Sequence, residues 1–199
     1  MNERADRVPS ISCVMPAYNE AVSLPGVVAR TLAALRALSP RVELVVVNDG
    51  SRDATETVMR DLCTREPALR LVQLSRNFGK EAALSAGIAA ARGEVVVLMD
   101  ADGQHPVALL ADMLRQWQQG VDVVYAVRRT REDQSALHRR LVAWFYGIVN
   151  WGGRVRIPRN AGDFRWMDRR VVDALLRLPE RHRFMKGLYA WVGFRSVAL

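Results

Sequence analysis

The sequence predicts an α/β protein with a mostly parallel central sheet flanked by helices. Through the first 127 residues, short apolar runs rich in β-branched residues alternate with segments of helical periodicity. The runs are apolar at successive positions, which is typical of strands covered by helices on both faces. Of the 199 residues, 50% are hydrophobic and 25% are charged, which fits one globular domain and excludes a disordered or disulfide-stapled chain.

The first part of the chain contains a series of predicted strands and helices in alternation. The strands are predicted over 11–15, 42–47, 69–74, 95–99 and 121–127, and the helices over 22–38, 53–65, 80–91 and 106–119. Sheets of this kind bind ligands beyond the carboxyl ends of their strands. We therefore expect function in the four polar loops that follow the first four strands, at 16–20, 48–51, 75–80 and 100–106.

From residue 128 the alternation stops. We predict helices over 137–150 and 168–178, a basic aromatic stretch over 181–191 and a short strand over 196–199. The helix at 137–150 has an apolar stripe that fits either a core or a lipid headgroup layer, and the neighbouring Arg139 and Arg140 favour the lipid. The chain ends inside the last strand, so we expect the natural protein to continue into membrane segments. The stripe consists of Leu137, Leu141, Trp144, Phe145, Ile148 and Trp151.

Charge divides the chain into two halves. Residues 1–127 carry 13 Lys and Arg against 15 Asp and Glu, whereas residues 128–199 carry 16 against 6. This asymmetry indicates a polyanionic partner for the second half, such as a phosphate-bearing ligand, a nucleic acid or an anionic membrane surface. We accordingly divide one domain into a ligand-binding half, 10–127, and a basic half, 128–199, that faces the partner and the membrane.

Two carboxylates, Asp100 and Asp102, follow the strand at 95–99, where such a sheet binds ligands. Hard oxygen ligands of this kind suit Mg²⁺ or Mn²⁺, which bind one or two carboxylates together with substrate phosphates. Gln104 can add a carbonyl oxygen. The alternative is an ordinary turn in which Asp side chains accept local backbone hydrogen bonds, and His105 is expected to belong to that turn.

Two further loop residues are candidate ligands of a nucleotide. Asp49 is placed to accept a hydrogen bond from a nucleobase, although the same run also fits a turn and helix cap that uses Ser51 or Asp53. Lys80 follows Gly79 at a predicted helix start, where a cation and backbone N–H groups can meet phosphate oxygens. The alternative for Lys80 is a solvated side chain.

Five motifs in this order resemble family 2 glycosyltransferases of the polyprenyl-phosphate type, over residues 10–195. They are PAYNE at 16–20, VNDGS at 47–51, RNFGKE at 76–81, DADGQHP at 100–106 and GDFR at 162–165. Similar bacterial members transfer glucose or a related sugar from a nucleotide donor to undecaprenyl phosphate, and dolichol-phosphate mannose synthases are relatives. The resemblance implies the GT-A fold, an inverting reaction and a location at the cytoplasmic face of a bacterial inner membrane. It favours a UDP-sugar over a GDP-sugar as the donor, and both bases stay open. It also implies a possible homo-oligomer.

The resemblance further implies a role for each matching residue. Arg128 and Arg139 would meet the phosphates of donor or acceptor, with Arg129 and Arg140 as substitutes. Asp100, Asp102 and Gln104 would hold the metal. The nucleotide sugar would contact Pro16, Ala17, Tyr18, Asn19, Glu20, Val47, Asp49, Lys80, Asp100, Ala101 and Asp102.

Asp163 is the candidate catalytic carboxylate, with Asp102 acting through the metal. The family places the motif at 162–165 in a loop beside the sugar. A phosphate monoester with a second pKa of about 6 is already largely ionised at neutral pH, so the reaction needs little proton abstraction. Orienting the acceptor or stabilising charge on the sugar are therefore alternatives to a general base. A structural alternative is a salt bridge to Arg165 or Arg159.

Two other classes of protein compete with this interpretation. A sugar-phosphate nucleotidyltransferase is also α/β with paired aspartates, but this chain lacks a Gly-rich basic signature after its first strand. A nucleic-acid-binding module would use the basic half, but it would leave the acidic loops without a role. We therefore expect no nucleic-acid partner.

Overall fold

The computed structural model describes residues 4–127, 161–180 and 183–199, and these residues form one sheet with helices on both faces. The strands are β1 (Ile11–Ala17), β2 (Val42–Asn48), β3 (Leu69–Gln73), β4 (Val95–Leu98), β5 (Val123–Val127), β6 (Ala161–Asp168) and β7 (Ser196–Ala198). The helices are α1 (Leu24–Arg36), α2 (Thr55–Arg65), α3 (Lys80–Ala90), α4 (Leu109–Gln118), α5 (Arg169–Leu176) and α6 (Met185–Trp191). Among these helices none is both long enough and apolar enough to cross a membrane.

The strand order is β3-β2-β1-β4-β6-β5-β7. Strands β1 to β4 are parallel to one another, and β7 is parallel to β5. After β1 the chain adds β2 and β3 on one side and then returns to add β4 on the other side. The strand order therefore reverses between β1 and β4, which is where ligands bind in sheets of this type.

Strand β6 is the main departure from the predicted elements. It runs antiparallel between β4 and β5, with Val95 opposite Asp168 and Leu98 opposite Arg165. The expectation of a loop at 162–165 was therefore wrong: these residues lie in a strand. Its two neighbours are distant in sequence, so local pattern carried no sign of the pairing. The other predicted strands and helices that fall on described residues are present, whereas the helix at 137–150 lies outside those residues.

The sheet is buried on both faces, as predicted. Helices α1, α2 and α4 cover one apolar face, and α3, α5 and α6 cover the other. On the second face, a Cβ atom at Gly87 of α3 would overlap the side chains of Val14 and Val47. The absence of a side chain at Gly87 lets α3 lie directly on the sheet, and this close packing determines where the first residue of α3, Lys80, is held.

A buried ionic cluster lies at the amino end of β4, and we call Arg4, Asp122, Asp168 and Trp117 the basal cluster. The Arg4 guanidinium lies 2.8 Å from an Asp122 oxygen and 3.0 Å from an Asp168 oxygen. The indole N–H of Trp117 donates to Asp168 over 2.8 Å. These contacts fasten the segment before β1 to α4, β5 and β6.

Candidate active site

A cavity of about 330 Å³ opens beyond the carboxyl ends of β1, β2 and β4, where the strand order reverses. Its position agrees with the rule for open α/β sheets. The cavity brings together most residues that the sequence predicted to bind a nucleotide sugar. It is lined by Pro16, Ala17, Tyr18, Glu20, Asp49, Asn77, Gly79, Lys80, Ala83, Asp100, Ala101 and Asp102.

Asn19 and Val47 belong to the framework rather than to the wall of this cavity. The side-chain oxygen of Asn19 accepts the backbone N–H of Arg52, and the N–H of Asn19 donates to Ser51 Oγ, each over 2.9 Å. Asn19 thus joins the first two functional loops. The side chain of Val47 is fully buried beneath α3. Neither residue lines the cavity, and the predicted contacts of Asn19 and Val47 with a nucleotide stay predictions.

Asp49 positions the loop that leads into α3. Its two carboxylate oxygens accept the backbone N–H groups of Phe78 and Gly79 over 2.8 and 2.9 Å. Gly50 has φ +62°, and a side chain there would overlap the backbone of Arg76. Each carboxylate oxygen has a second lone pair, so the predicted contact between Asp49 and a nucleobase stays a prediction.

Local hydrogen bonds support the turn interpretation of the second loop, but the N-cap residue of α2 is Ala54, which makes no side-chain cap hydrogen bond. The Asn48 side-chain oxygen accepts the N–H of Ser51 over 3.1 Å, and Asp53 accepts the N–H of Thr55 over 3.0 Å. Thr55 Oγ1 in turn accepts the backbone N–H of Glu20 over 2.9 Å. Turn hydrogen bonds and cavity lining therefore coexist, because different side chains of adjacent loops perform them.

Lys80 joins two carboxylates at the cavity wall, and we call Lys80, Asp100 and Asp163 the site cluster. The Lys80 Nζ atom lies 2.6 Å from Asp100 Oδ1 and 2.7 Å from Asp163 Oδ2. The antiparallel register of β4 with β6 brings Asp163 level with Asp100, just beyond the paired residues. Lys80 is therefore not simply solvated, and the expected aspartates do lie together.

Asp163 does not form the alternative salt bridge to Arg165. The Arg165 side chain is buried, lies 3.7 Å from the centre of the Tyr189 ring and donates to the carbonyl oxygen of Gly162 over 3.2 Å. Arg159 lies outside the described residues. Since β6 turns Asp163 toward α3, the partner of this carboxylate is Lys80.

Asp100 and Lys80 of the site cluster are both charged at neutral pH. Burial alone would raise the pKa of Asp100, but hydrogen bonds with His105 and Lys80 outweigh burial and bring the pKa to about 2. Burial alone would lower the pKa of Lys80, but its hydrogen bonds to Asp100 and Asp163 raise it above the ordinary value. Each charge thus stabilises the charged form of its partner.

His105 has a closer relation to the site than the sequence indicated. Its Nε2 atom lies 3.1 Å from Asp100 Oδ2, and its ring packs on Phe164 with centroids 5.0 Å apart. The prediction assigned His105 only to the turn. Nothing local could have indicated the contact with Phe164, because that residue comes from β6, 59 positions later.

The aspartate loop is a turn and also a possible metal site. Asp102 Oδ1 accepts the backbone N–H of Gln104 over 2.9 Å, as the turn alternative required. No group of three or more His, Cys, Asp and Glu residues suited to a metal occurs in the part of the chain that the structure describes. Asp100, Asp102 and Gln104 nevertheless offer hard oxygen donors, which fit Mg²⁺ or Mn²⁺ when substrate phosphates and water complete the coordination.

The predicted phosphate-binding arginines lie outside the described residues. They are Arg128 and Arg139, with their substitutes Arg129 and Arg140.

The sheet, its reversal point and the polar cavity there define a nucleotide-diphospho-sugar transferase fold of the GT-A type. A mannosyltransferase from Pyrobaculum calidifontis, solved with GDP-mannose and Mn²⁺, has a TM-score of 0.69 and 23% identity over 98% of this chain and 55% of its own. Glucosyl-3-phosphoglycerate synthase from Mycobacterium tuberculosis, solved with Mn²⁺, UDP and phosphoglyceric acid, has a TM-score of 0.57 and 22% identity over 83% of this chain and 58% of its own.

Residues 12–176 match the family described as Glycosyl transferase family 2, and the chain belongs to that family. It is 45% identical to an uncharacterised glycosyltransferase of Synechocystis over 94% of this chain and 58% of the relative. It is 41% identical to the bactoprenol glucosyl transferase of Shigella phage SfV over 92% of this chain and 60% of the relative. The chain thus spans about three fifths of the length of these two relatives.

Proposed function

We propose that this chain is the catalytic part of an inverting glycosyltransferase that moves a sugar, glucose first among the candidates, from a nucleotide sugar to a polyprenyl phosphate. The observation that carries the proposal is the site cluster, in which Lys80 holds Asp100 and Asp163 together at the wall of the 330 Å³ cavity. The 41% identity to a bactoprenol glucosyl transferase supports the acceptor class.

The donor binds in the cavity with its diphosphate toward Lys80. Pro16, Tyr18 and Glu20 supply a wall for the nucleoside on one side, and Asp49 supplies a hydrogen-bond acceptor on another. A UDP-sugar is preferred over a GDP-sugar in this proposal. Small-molecule sites are commonly cavities of about 300–1,000 Å³, so the observed volume suits the nucleotide part of a donor.

Asp100, Asp102 and Gln104 would hold Mg²⁺ or Mn²⁺ beside the diphosphate. A bound divalent ion supplies Lewis acidity that offsets the negative charge on the departing diphosphate. Asp100 already contacts Lys80 and His105. Lys80 would be able to turn from Asp100 toward a donor phosphate, because a lysine ammonium is a compact charge on a flexible stem.

In the reaction, a phosphate oxygen of the acceptor attacks the anomeric carbon of the donor sugar. The bond from that carbon to the diphosphate oxygen breaks, and the nucleoside diphosphate leaves with the bonding electron pair. The attacking oxygen is already ionised, so Asp163 need not remove a proton. Its carboxylate instead orients the acceptor or stabilises positive charge that develops on the sugar, and Lys80 holds it in position.

The reaction is proposed to take place at the cytoplasmic face of the bacterial cell membrane, where a lipid-linked acceptor is reached from the aqueous side. Residues 128–199 carry 16 Lys and Arg against 6 Asp and Glu. Each basic residue near an anionic bilayer contributes about 1 kcal/mol of attraction. Basic residues in this number support reversible docking. Self-association of the chain is a separate part of the proposal.

A transfer assay tests the function directly. The protein is incubated with UDP-glucose or GDP-mannose, a polyprenyl phosphate, and Mg²⁺, Mn²⁺ or excess chelator, and both nucleoside diphosphate and lipid-linked sugar are measured. We expect both products in equal amounts with UDP-glucose and a divalent ion. Formation of a nucleotide sugar from a sugar phosphate and a nucleoside triphosphate would instead support the nucleotidyltransferase alternative. Undiminished turnover in chelator would contradict the metal assignment.

A further inference from the structure

A second cavity, of about 640 Å³, lies on the other side of the first two turns of α3. Its walls come from α3 and from the segment before α6, and the residues that matter here are Phe78, Glu81, Ala82, Ser85, Arg183 and Phe184. Its volume lies within the range usual for small-molecule sites. None of the roles assigned above uses this cavity.

The start of α3 is a partition between the two cavities. Lys80 and Ala83, three residues apart and hence on one helical face, line the nucleotide cavity. Ala82 and Ser85 lie on the other face and line the second cavity, and Glu81 joins them. The two cavities are therefore separated only by the width of one helix.

The second cavity presents mainly aromatic and small side chains. Phe78 and Phe184 are 48% and 49% exposed, although both are large and apolar. Two half-exposed aromatic rings that line one cavity are more typical of a binding surface than of the ordinary solvent-exposed surface of a protein. Ala82 and Ser85 are small and leave the floor between the rings open.

The polar side chains of the second cavity already form hydrogen bonds with backbone groups of its walls. Glu81 accepts the backbone N–H of Met185 over 3.1 Å and so ties α3 to the start of α6. The Arg183 guanidinium donates to the carbonyl oxygens of Glu180 and Leu178 over 3.2 and 3.1 Å. Among the described residues of the lining, Glu81 and Arg183 are therefore already engaged with backbone groups, which leaves the aromatic rings and Ala82 to contact a ligand. An uncharged, apolar ligand suits this part of the lining.

The second cavity is adjacent to the site cluster. Glu81 lines the second cavity and directly follows Lys80, whose Nζ atom lies 2.7 Å from an Asp163 oxygen, so the cavity and the site cluster meet at the first turn of α3. A ligand with its apolar part in the second cavity could therefore extend a charged end to Lys80 and Asp163. A ligand with a phosphate at the end of an apolar chain fits this arrangement.

We propose that the second cavity holds the first isoprene units of the acceptor, next to the phosphate that reacts at the site cluster. This inference rests on the proposed function and adds a location for the apolar part of the acceptor. The nucleotide cavity lies across α3 from it, so donor and acceptor approach the reacting centre from opposite faces of one helix.

A chain-length series tests the location. Isoprenyl phosphates of one, two and three units are compared as acceptors, below their micelle concentrations and without detergent or vesicles, so that partition into a lipid phase plays no part. For the wild type we expect KM to fall about tenfold or more from one unit to three, because burial of even two CH₂ groups contributes about this factor. In Ala82→Trp, the indole occupies the floor between the two aromatic rings, and KM should fall much less with chain length.

Two further variants complete the design. Phe184→Ser removes one aromatic wall and places a good capping residue before α6, so we expect a smaller gain with chain length in a folded protein. Ala89→Leu is the matched control, since Ala89 is exposed on α3 outside both cavities. The KM for the donor should be unchanged in all three variants, which shows that the nucleotide cavity is intact.

The outcomes separate the two proposals. The same fall in KM with chain length in wild type and Ala82→Trp would overturn the assignment of the second cavity, while leaving the transferase function supported. A wild type that uses none of the isoprenyl phosphates and no polyprenyl phosphate would overturn the proposed function, and this inference with it.

Discussion

The site cluster and the basal cluster are built alike, at opposite ends of β6. In each, one cation joins an aspartate of β6 to an aspartate from a neighbouring segment: Lys80 with Asp163 and Asp100, and Arg4 with Asp168 and Asp122. The cations differ. Arginine offers several donors in a rigid plane, whereas lysine is a single charge on a flexible stem.

The surroundings of the two clusters differ as well. The Arg4 side chain is 10% exposed, and Asp168 also accepts from Trp117 and from the backbone N–H of Arg170. The Lys80 side chain is 40% exposed and faces a cavity. A buried and fully hydrogen-bonded cluster resists rearrangement, while a half-open cluster can exchange its partners for a ligand. Two aspartates joined by a cation therefore stabilise the fold at one end of β6 and are available for chemistry at the other end.

The largest effect is expected when the cation of the site cluster is removed. Lys80→Met leaves Asp100 and Asp163 without their shared cation and the donor diphosphate without a positive charge. We expect kcat to fall about 10³-fold, by analogy with the loss of one charge-stabilising donor at a reacting centre. Thermal unfolding should change little, since Lys80 is partly solvated. A Lys80→Met protein with near-normal turnover would contradict the central role of the site cluster.

The matched change in the basal cluster should lower the stability of the fold and leave kcat unchanged. Arg4→Met leaves two buried carboxylates, Asp122 and Asp168, without this cation, although Arg170 still contacts both. Breaking a buried ion pair costs about 3–5 kcal/mol of unfolding free energy, and Arg170 should limit the loss to about 3 kcal/mol. Urea unfolding gives the stability and the transfer assay gives kcat, which should be unchanged. A fall in kcat at unchanged stability would contradict the assignment of the basal cluster to stability rather than to activity.

A third change distinguishes the roles of the two carboxylates within the site cluster. Asp163→Asn should lower kcat about 10²-fold and leave the KM for the donor within about twofold, because Asp163 is assigned to the reacting centre and not to the nucleotide. Activity is measured between pH 6 and 9. Partial recovery as the acceptor ionises at higher pH would support a general base, and a constant defect would support an orienting role. An equal loss of donor affinity would instead make Asp163 a binding residue.

The smallest effect concerns acid stability. The pKa of Asp100 is lowered in the folded state from 3.8 to about 2, and that of Asp168 is also lowered. A carboxyl with a lowered folded-state pKa contributes stability that is complete above its unfolded pKa and is lost as pH falls toward its folded pKa. We therefore expect the unfolding free energy to decrease from about pH 5 to pH 2. Asp100→Asn should weaken this decrease, as measured by urea unfolding at each pH, and an unchanged profile would count against the ion pair.

Much of the fold could be predicted from local pattern. Buried strands such as β1, β2 and β4 are short, apolar and bounded by polar loops, so their positions follow from sequence alone. The grouping of Asp49, Asp100 and Lys80 also followed, because the carboxyl ends of parallel strands meet at one edge. Strand β6 could not be predicted in this way, since its charged residues Asp163 and Arg165 do not resemble a buried strand.

The sequence by itself determined the α/β class, the family and the cavity edge at which the functional loops lie, because these depend on apolar periodicity and on motifs carried within single loops. Only the tertiary structure decided which charges meet. It paired Asp163 with Lys80 rather than Arg165, turned Val47 into the core, and brought His105 against Phe164. The physical reason is that these contacts join segments 59 or more residues apart, or depend on which face of a strand is covered, and both are consequences of packing that no local pattern encodes.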